Sequence, residues 1–505
     1  MKALLLFVVI FAAVATAQPD SLQVIWDRSG ETDSSAYGYK ILPLGDQNDD
    51  GFADWAVFAR GNGGGWHGTR PSYLEFFHGG ITMPEEPYYT FSVDTSVYNK
   101  LWRVEATGDV NGDGYQDWMV IMCTVVGPIT CVAPIFFGGP DADSIPDAYV
   151  SPNSIGTIGD FNGDAYDDIA AYDFGTDILS IFYGGSPMDT VPDWILHQPP
   201  QGFIQSIPYA VGDFTGDGAS DFVCHNPNNG FNAIFLGGTQ PDTVPAYTWT
   251  DISTNPIGAV RSINGDPYDE FLFQGSNRVD VYFGRPVLQT VPDALLHFSC
   301  TYTQQAVSAG DFNHDGYRDV IMLNWTCDDN MFGSLTLHLG HPWLYSEPAF
   351  TIEGWTDPLN LIGIYSAAGL GDVNGDGIDD IAIGAWDDFA YLGWRGRCVL
   401  LAGDTTLVAS ADDYRPEIPQ SLEVSVYPNP FNAVTTIALD MPFGVGKAIL
   451  VTYNLLGQVV SRGELVCSLG PTRYLFDARD LASGLYLLRV EAGAYHSTHK
   501  LVLLR

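Results

Sequence analysis

The sequence predicts an all-β chain, a seven-bladed β-propeller closed by its N-terminal strand and followed by a small C-terminal immunoglobulin-like β-sandwich. Three observations predict it. A nonapeptide of the form D-x-N-x-D-G-x-x-D occurs in seven copies, each copy sits among strand-like runs of its own, and the chain ahead of the first copy carries the run that the last copy lacks. Periods of this length mark solenoids and propellers, and four strands per unit make one propeller blade.

The chain opens with Lys2, an unbroken apolar run from Ala3 to Val14, and Ala15-Thr16-Ala17. That order of charge, apolar core and small-x-small site is a secretory leader, so residues 1–17 are expected to be removed and the mature chain to begin at Gln18. A membrane helix needs about 20 apolar residues, and no later stretch of the sequence approaches that. The 505 residues include 55 Gly and 31 Pro with 13% aromatic residues, a balance that favours short strands and turns over long helices. A net charge of -40 excludes nucleic acid and anionic membrane surfaces as partners, because either needs a basic patch. The seven cysteines, at 123, 131, 224, 300, 327, 398 and 467, contain no C-x-x-C pair, which argues against zinc. Cys123 and Cys131 are placed to bridge neighbouring strands.

The copies begin at residues 46, 109, 160, 213, 262, 311 and 372 and read DQNDDGFAD, DVNGDGYQD, DFNGDAYDD, DFTGDGASD, SINGDPYDE, DFNHDGYRD and DVNGDGIDD. An apolar run leads into each loop and another leaves it, as in Trp55 to Phe58, Ile169 to Ala171 and Ile381 to Ile383. A third run ends in FFHGG, FFGGP, FYGGS, FLGGT, YFGRP or HLGHP, and a fourth follows a proline, as in SIPDAYV, TVPDWIL, TVPAYTW and TVPDALL. The seventh unit has no such fourth run. Pro19 to Trp26 copies it at the other end of the chain, so the first mature strand is expected to complete the last blade and leave no open edge.

Oxygen-bearing side chains at positions one, three, five and nine, with a backbone carbonyl at seven, suit a hard cation that takes six to eight oxygens; calcium is the expected ligand. The expected side-chain donors are Asp46, Asn48, Asp50 and Asp54; Asp109, Asn111, Asp113 and Asp117; Asp160, Asn162, Asp164 and Asp168; Asp213, Thr215, Asp217 and Asp221; Asp311, Asn313, Asp315 and Asp319; and Asp372, Asn374, Asp376 and Asp380. The carbonyl donors are Phe52, Tyr115, Tyr166, Ala219, Tyr317 and Ile378. Asp, Asn and Gly also build ordinary turns. The acid at position nine is not asked for by turn propensity, and it favours the cation. Of the 61 acidic residues, 24 lie inside the seven copies, where they repel one another without a counter-charge. Glycine at position six permits the sharp reversal and glycine at position four relieves crowding within the loop. Ala165 and Thr215 are expected to weaken their sites, and loop 262–270, with Ser262 and Pro267, is expected to be empty or loosely filled.

Loops of this kind, followed by Phe-Gly-Gly endings, resemble the FG-GAP repeats, also called VCBS-like, of integrin α-subunit propellers and many bacterial secreted proteins. The resemblance covers residues 19 to about 403. It implies calcium loops between the first two strands of each blade on one face of the disc, with ligands meeting the opposite face. Residues 404–420 read as a linker and 421–505 as a second domain. That domain, through VYPNPFN (426–432), YNLLGQ (453–458), LASGLYLLRV (481–490) and the ending HKLVLLR, resembles the type A C-terminal sorting domain of type IX secretion. The likeness implies passage across a Gram-negative outer membrane and release or attachment at the cell surface.

No HExxH, G-x-S-x-G or P-loop occurs. The expectation is a calcium-binding adhesion module, with an unknown extracellular protein or glycan as partner; the alternative is a propeller-based polysaccharide lyase or hydrolase. Trp66, Trp102, Trp325 and Trp355 are the aromatic candidates for ligand contact.

Overall fold

A computed structural model describes residues 22–30, 35–61, 72–92, 100–123, 131–150, 154–173, 176–197, 208–226, 228–250, 255–275, 278–285, 292–297, 300–327, 333–341, 344, 347–354, 361, 363–385, 395–408, 423–440, 447–466, 472–479, 481–492 and 495–504. The expected leader and most of the expected linker lie outside these residues, as do Trp66 and Trp355. Every regular element among the described residues is a strand. The chain divides into two compact units, Met1–Gly284 with Ala294–Ser410, and Arg285–Asp293 with Ala411–Arg505.

In the first unit β1 (Val24–Ser29) is followed by six quartets in chain order. They are β2 to β5 (Lys40–Gly45, Asp54–Ala59, Tyr73–Phe77, Tyr89–Ser92), β6 to β9 (Lys100–Gly108, Asp117–Cys123, Cys131–Phe136, Ala148–Val150) and β10 to β13 (Ser154–Gly159, Asp168–Asp173, Ile178–Phe182, Trp194–His197). Next come β14 to β17 (Tyr209–Gly212, Asp221–Asn226, Phe231–Phe235, Tyr247–Thr250), β18 to β21 (Asn255–Arg261, Asp269–Gly275, Arg278–Tyr282, Ala294–His297) and β22 to β25 (Cys300–Gly310, Asp319–Cys327, Ser334–His338, Phe350–Glu353). The last three strands are β26 (Ile364–Gly371), β27 (Asp380–Ala385) and β28 (Arg397–Leu401). Each quartet is a four-stranded antiparallel sheet in sequence order, and β26, β27 and β28 take β1 as their fourth strand. The first strands of the sheets touch in the order β2, β6, β10, β14, β18, β22, β26, and β26 touches β2.

Second strands are largely apolar past their first acid because both their faces are covered. β3, β15 and β27 are buried at every residue, which is why they read as continuous runs instead of alternating ones. Fourth strands have one dry face, so β13 alternates buried and exposed along Trp194–His197. The core lies between successive sheets, as where Phe161, Ile181 and Trp194 meet Phe222 and Phe235. Cys123 and Cys131 face each other across β7 and β8 in a disulfide, while Cys224 and Cys398 are buried thiols.

Side chains hold β1 on two sides, to the β2 to β5 sheet and to β28. Trp26 sits edge-on to Trp55 and Phe77 at 5.6 and 4.9 Å, and its indole N–H donates to the Pro84 carbonyl at 2.7 Å. Arg28 pairs with buried Glu75 at 3.1 Å, and Arg397 on β28 pairs with Asp27 on β1 at 2.6 Å. Trp26 therefore belongs to β1 in sequence and packs into the core shared with the β2 to β5 sheet.

In the second unit β29 (Glu423–Tyr427), β30 (Val434–Asp440) and β33 (Thr472–Asp477) form one sheet. β31 (Lys447–Tyr453), β32 (Val459–Val466), β34 (Gly484–Ala492) and β35 (Tyr495–Leu503) form the other, in the order β32-β31-β34-β35. Ile437, Leu439 and Phe476 of the first sheet share a core with Leu450, Leu488, Val490 and Leu501 of the second. The Pro-Asn-Pro-Phe stretch clasps the last strand. Asn429 donates to the Lys500 carbonyl and accepts from the Val502 N–H, while Phe431 exchanges backbone bonds with Val502 and Leu504.

Trp26→Ala is expected to lower the stability of the first unit by about 3–5 kcal/mol, the usual loss for truncating a buried Trp. Denaturant titration checks it, and a loss under about 1 kcal/mol would show that β1 is not held by this side chain.

Candidate metal centres

Every nonapeptide connects the first and second strands of a sheet, so all seven project from corresponding corners. The second copy shows how the chain closes on itself. Asp109 Oδ1 accepts the N–H groups of Gly112 and Asp113 at 2.7 and 3.1 Å, and Oδ2 accepts that of Gly114 at 2.8 Å. Asn111 accepts from the Asp113 N–H at 2.9 Å and donates to the Asp113 carboxylate at 2.8 Å. Asp113 accepts from the Tyr115 N–H at 3.0 Å. Asp46, Asp160, Asp213, Asp311 and Asp372 receive the fifth and sixth N–H groups of their loops in the same way. Positions one, three and five are thus drawn together, as the spacing predicted.

Position nine has a second role that the spacing did not show. Its carboxylate is buried, with one oxygen accepting the N–H of position two and the other that of the first glycine after the third strand. Asp117 takes Val110 and Gly138, Asp319 takes Phe312 and Gly340, Asp380 takes Val373 and Gly403, and Asp54 takes Gln47 and Gly79. Asp168 and Asp221 likewise bind Gly184 and Gly237. An acid at position nine therefore also fastens loop to strand, so it does not by itself separate a cation site from a turn.

Burial pushes the carboxyls of Asp117, Asp168, Asp221, Asp319 and Asp380 up to about 7, and the acid at position five of the same loop adds to the rise. Nearby positive charge would relieve both effects. Among the described residues no group of three or more His, Cys, Asp and Glu side chains forms a cage on its own. What each loop gathers is two carboxylates plus an amide or hydroxyl, a hard-oxygen set that suits calcium once a carbonyl and water complete it. One atom tests the fit directly. Thr215 Oγ1, at position three of the fourth loop, is buried without a hydrogen-bond partner beside Asp213 and Asp217, where a cation would satisfy it.

Loop 262–270 closes differently. Ser262 donates its hydroxyl to the Asp266 carbonyl at 2.7 Å and has a φ of 53°. Glu270 at position nine accepts only from Ile263, its other oxygen is buried without a partner, and burial pushes its carboxyl up to about 9. A hydroxyl stands at position one where the other copies have a carboxylate, and the position-nine acid has one oxygen without a partner. Ala165, in place of glycine at position six, is held at a φ of 74°, a conformation that strains an L-residue.

The spacing gave no sign that the loops grip one another. The eighth residue of one loop donates its N–H to the first carbonyl of the loop before it, as Asp167 to Asp109, Ser220 to Asp160, Asp269 to Asp213 and Ala53 to Asp372. Carboxylates at position eight also reach back. Asp167, Asp269 and Asp379 accept the N–H groups of Asp109, Asp213 and Asp311 at 2.8 to 2.9 Å. The residue at position seven contributes its side chain as well. Tyr166 lies over Gly112, Tyr268 over Gly216, Tyr317 over Gly265 and Phe52 over Gly375, so that a Cβ on Gly112 would sit 2.3 Å from the Tyr166 ring. The crowding that selects glycine at position four comes from the next loop, not from within its own. Of the tryptophans, Trp102 is exposed on β6 and Trp325 lies on β23.

Gly112→Ala should destabilise more than Gly114→Ala, because both glycines have positive φ but only the first faces a neighbouring ring. Expected losses are about 2–3 and about 1 kcal/mol. Adding Tyr166→Ala to Gly112→Ala should remove the excess, as read from a thermal double-mutant cycle; an unchanged excess would mean that the ring is not its cause.

The comparisons with known proteins fall on both units. Residues 425–504 match the secretion system C-terminal sorting domain. Integrin alpha-5 of Xenopus laevis is 24% identical over 234 residues, covering 41% of this chain and 22% of that protein. The chain therefore spans about a fifth of the length of this relative. It carries a secretion sorting domain at its C-terminus, behind sheets that are similar in sequence to part of an integrin α-chain.

Proposed function

We propose that the seven sheets of the first unit are the blades of one closed propeller, that six of its loops hold calcium, and that the chain is an exported, non-catalytic binding and adhesion module at the outer cell surface. The two sheets of the second unit are read as an immunoglobulin-like sandwich that engages the type IX secretion machinery and anchors the product. The observation that carries the calcium reading is the unpartnered hydroxyl of Thr215, set where five other loops place an amide beside two carboxylates. In each site the residues at positions one, three and five supply hard oxygens and the backbone at position seven supplies a carbonyl. Bound calcium would neutralise the crowded carboxylates and stiffen the loops. Export rests on the sorting domain at 425–504. The binding role rests on the likeness to an integrin α-chain together with that export.

At an affinity of ~0.1 mM, about 1 mM calcium would add roughly 1.4 kcal/mol per site, and six independent sites on the order of 8 kcal/mol. Removing calcium with a chelator is therefore expected to lower the melting temperature by many degrees. By calorimetric titration, Asp113→Ala should lose one site and Asp266→Ala none. An unchanged melting curve in chelator sinks the metal assignment. Saturable binding on a glycan or protein array, dependent on calcium and without product, is expected for the adhesion role; turnover of a polysaccharide would replace it with an enzyme. Deleting residues 421–505 should leave the propeller inside the cell envelope, as read by fractionation.

A further inference from the structure

The junction between the β2 to β5 sheet and the β6 to β9 sheet lacks filling that most other junctions have. At position two the other loops carry Val110, Phe161, Phe214, Ile263, Phe312 and Val373, all buried between sheets. The first loop carries Gln47, whose amide is turned aside to the carbonyls of Leu44 and Gln116 and to the Gly139 N–H. A second filler is also missing. Four residues beyond the first glycine of the third-strand ending stand Met83, Met188, Leu344 and Leu407, each buried or partly buried in a core, whereas here the residue is Ala142. What remains is a cavity of about 360 Å³ lined by both residues and by Phe76, Tyr88, Tyr89, Trp118, Asp143 and Ser144.

The lining has an apolar part, four aromatic rings with Leu44 and Ala142, and a hydrogen-bonding part, Gln47, Asp143 and Ser144. A wholly apolar ligand would leave the exposed Asp143 carboxylate and Ser144 hydroxyl at the rim unused, and an anion would meet Asp143 within a chain of net charge -40. A pyranose matches both parts, with C–H faces for the rings and hydroxyls for the carboxylate, and the volume falls within the range of small-ligand sites. We infer that this cavity is a binding site for a neutral sugar ring, opened by the pairing of Gln47 with Ala142. The inference rests on the reading of the chain as a binding module and names one ligand class and its place.

The test uses the full mature chain in calcium, titrated calorimetrically with the methyl glycosides of glucose, galactose, mannose and N-acetylglucosamine, and with glucuronate. At least one neutral glycoside should bind, and glucuronate at least tenfold more weakly. Ala142→Met restores the side chain that other junctions carry; it should abolish binding while leaving the melting temperature equal or higher. Tyr88→Ala, at an exposed position, should weaken binding about 3- to 10-fold. The same variants run on a glycan array separate a free sugar from the end of a longer glycan. Failure of every neutral glycoside and array glycan to bind, tightest binding by the acid, or undiminished binding by both variants would overturn the inference. Array binding that survives in both variants places recognition elsewhere and leaves the adhesion reading standing.

Discussion

The hydrogen bond from the eighth residue of one loop to the first carbonyl of the loop before it is the constraint on which the first unit turns. It fixes where each acidic loop begins, and so where its first carboxylate can point. It also couples local and global structure, because a loop adopts its shape only with its neighbour in place. At four of the junctions a hairpin that forms one loop also holds the start of the loop behind it. Ala53 to Asp372 shows that the chain of contacts runs through the seam between the last and first sheets.

Much of this was legible from residues alone. The fully covered second strands announced themselves as apolar runs, and the missing fourth strand of the last unit pointed to Pro19–Trp26 as the strand that completes it. The gathering of positions one, three and five followed from Asp and Asn chemistry over a short span. The sequence was less informative where one residue type serves two purposes. The acid at position nine also ties its loop to the sheet; in the second copy its bonds to Gly138 and Val110 involve a glycine 21 residues away, which no local pattern reveals. The glycine at position four was read as a local need, yet Gly112 answers to Tyr166 in the following repeat.

Departures from the repeat carried information in proportion to how many neighbours they touch. Ser262 and Glu270 change a loop together, exchanging a carboxylate for a hydroxyl that bonds the Asp266 carbonyl and a fully bonded acid for one with a free oxygen, so the fifth copy keeps its shape by other means. Gln47 and Ala142 lie 95 positions apart in sequence and look unremarkable singly; only their meeting across one junction empties it. A repeat protein lets each unit serve as the control for the others, and the units that differ are where special chemistry is to be sought.

The strand completing the last sheet is also the first to be made. Asp27 and Arg397 stand 370 residues apart, so their sheet stays a strand short until almost the whole first unit has been synthesised. Through that interval β1 packs through Trp26 on Trp55 and Phe77 but has no strand beside it to complete its pairing, a state open to association with other chains. Assembly of so distant a contact is slow compared with the formation of any single hairpin. The seam between β1 and β28 is therefore the last pairing of the first unit that synthesis makes possible, and the ring of contacting strands stays a strand short until then.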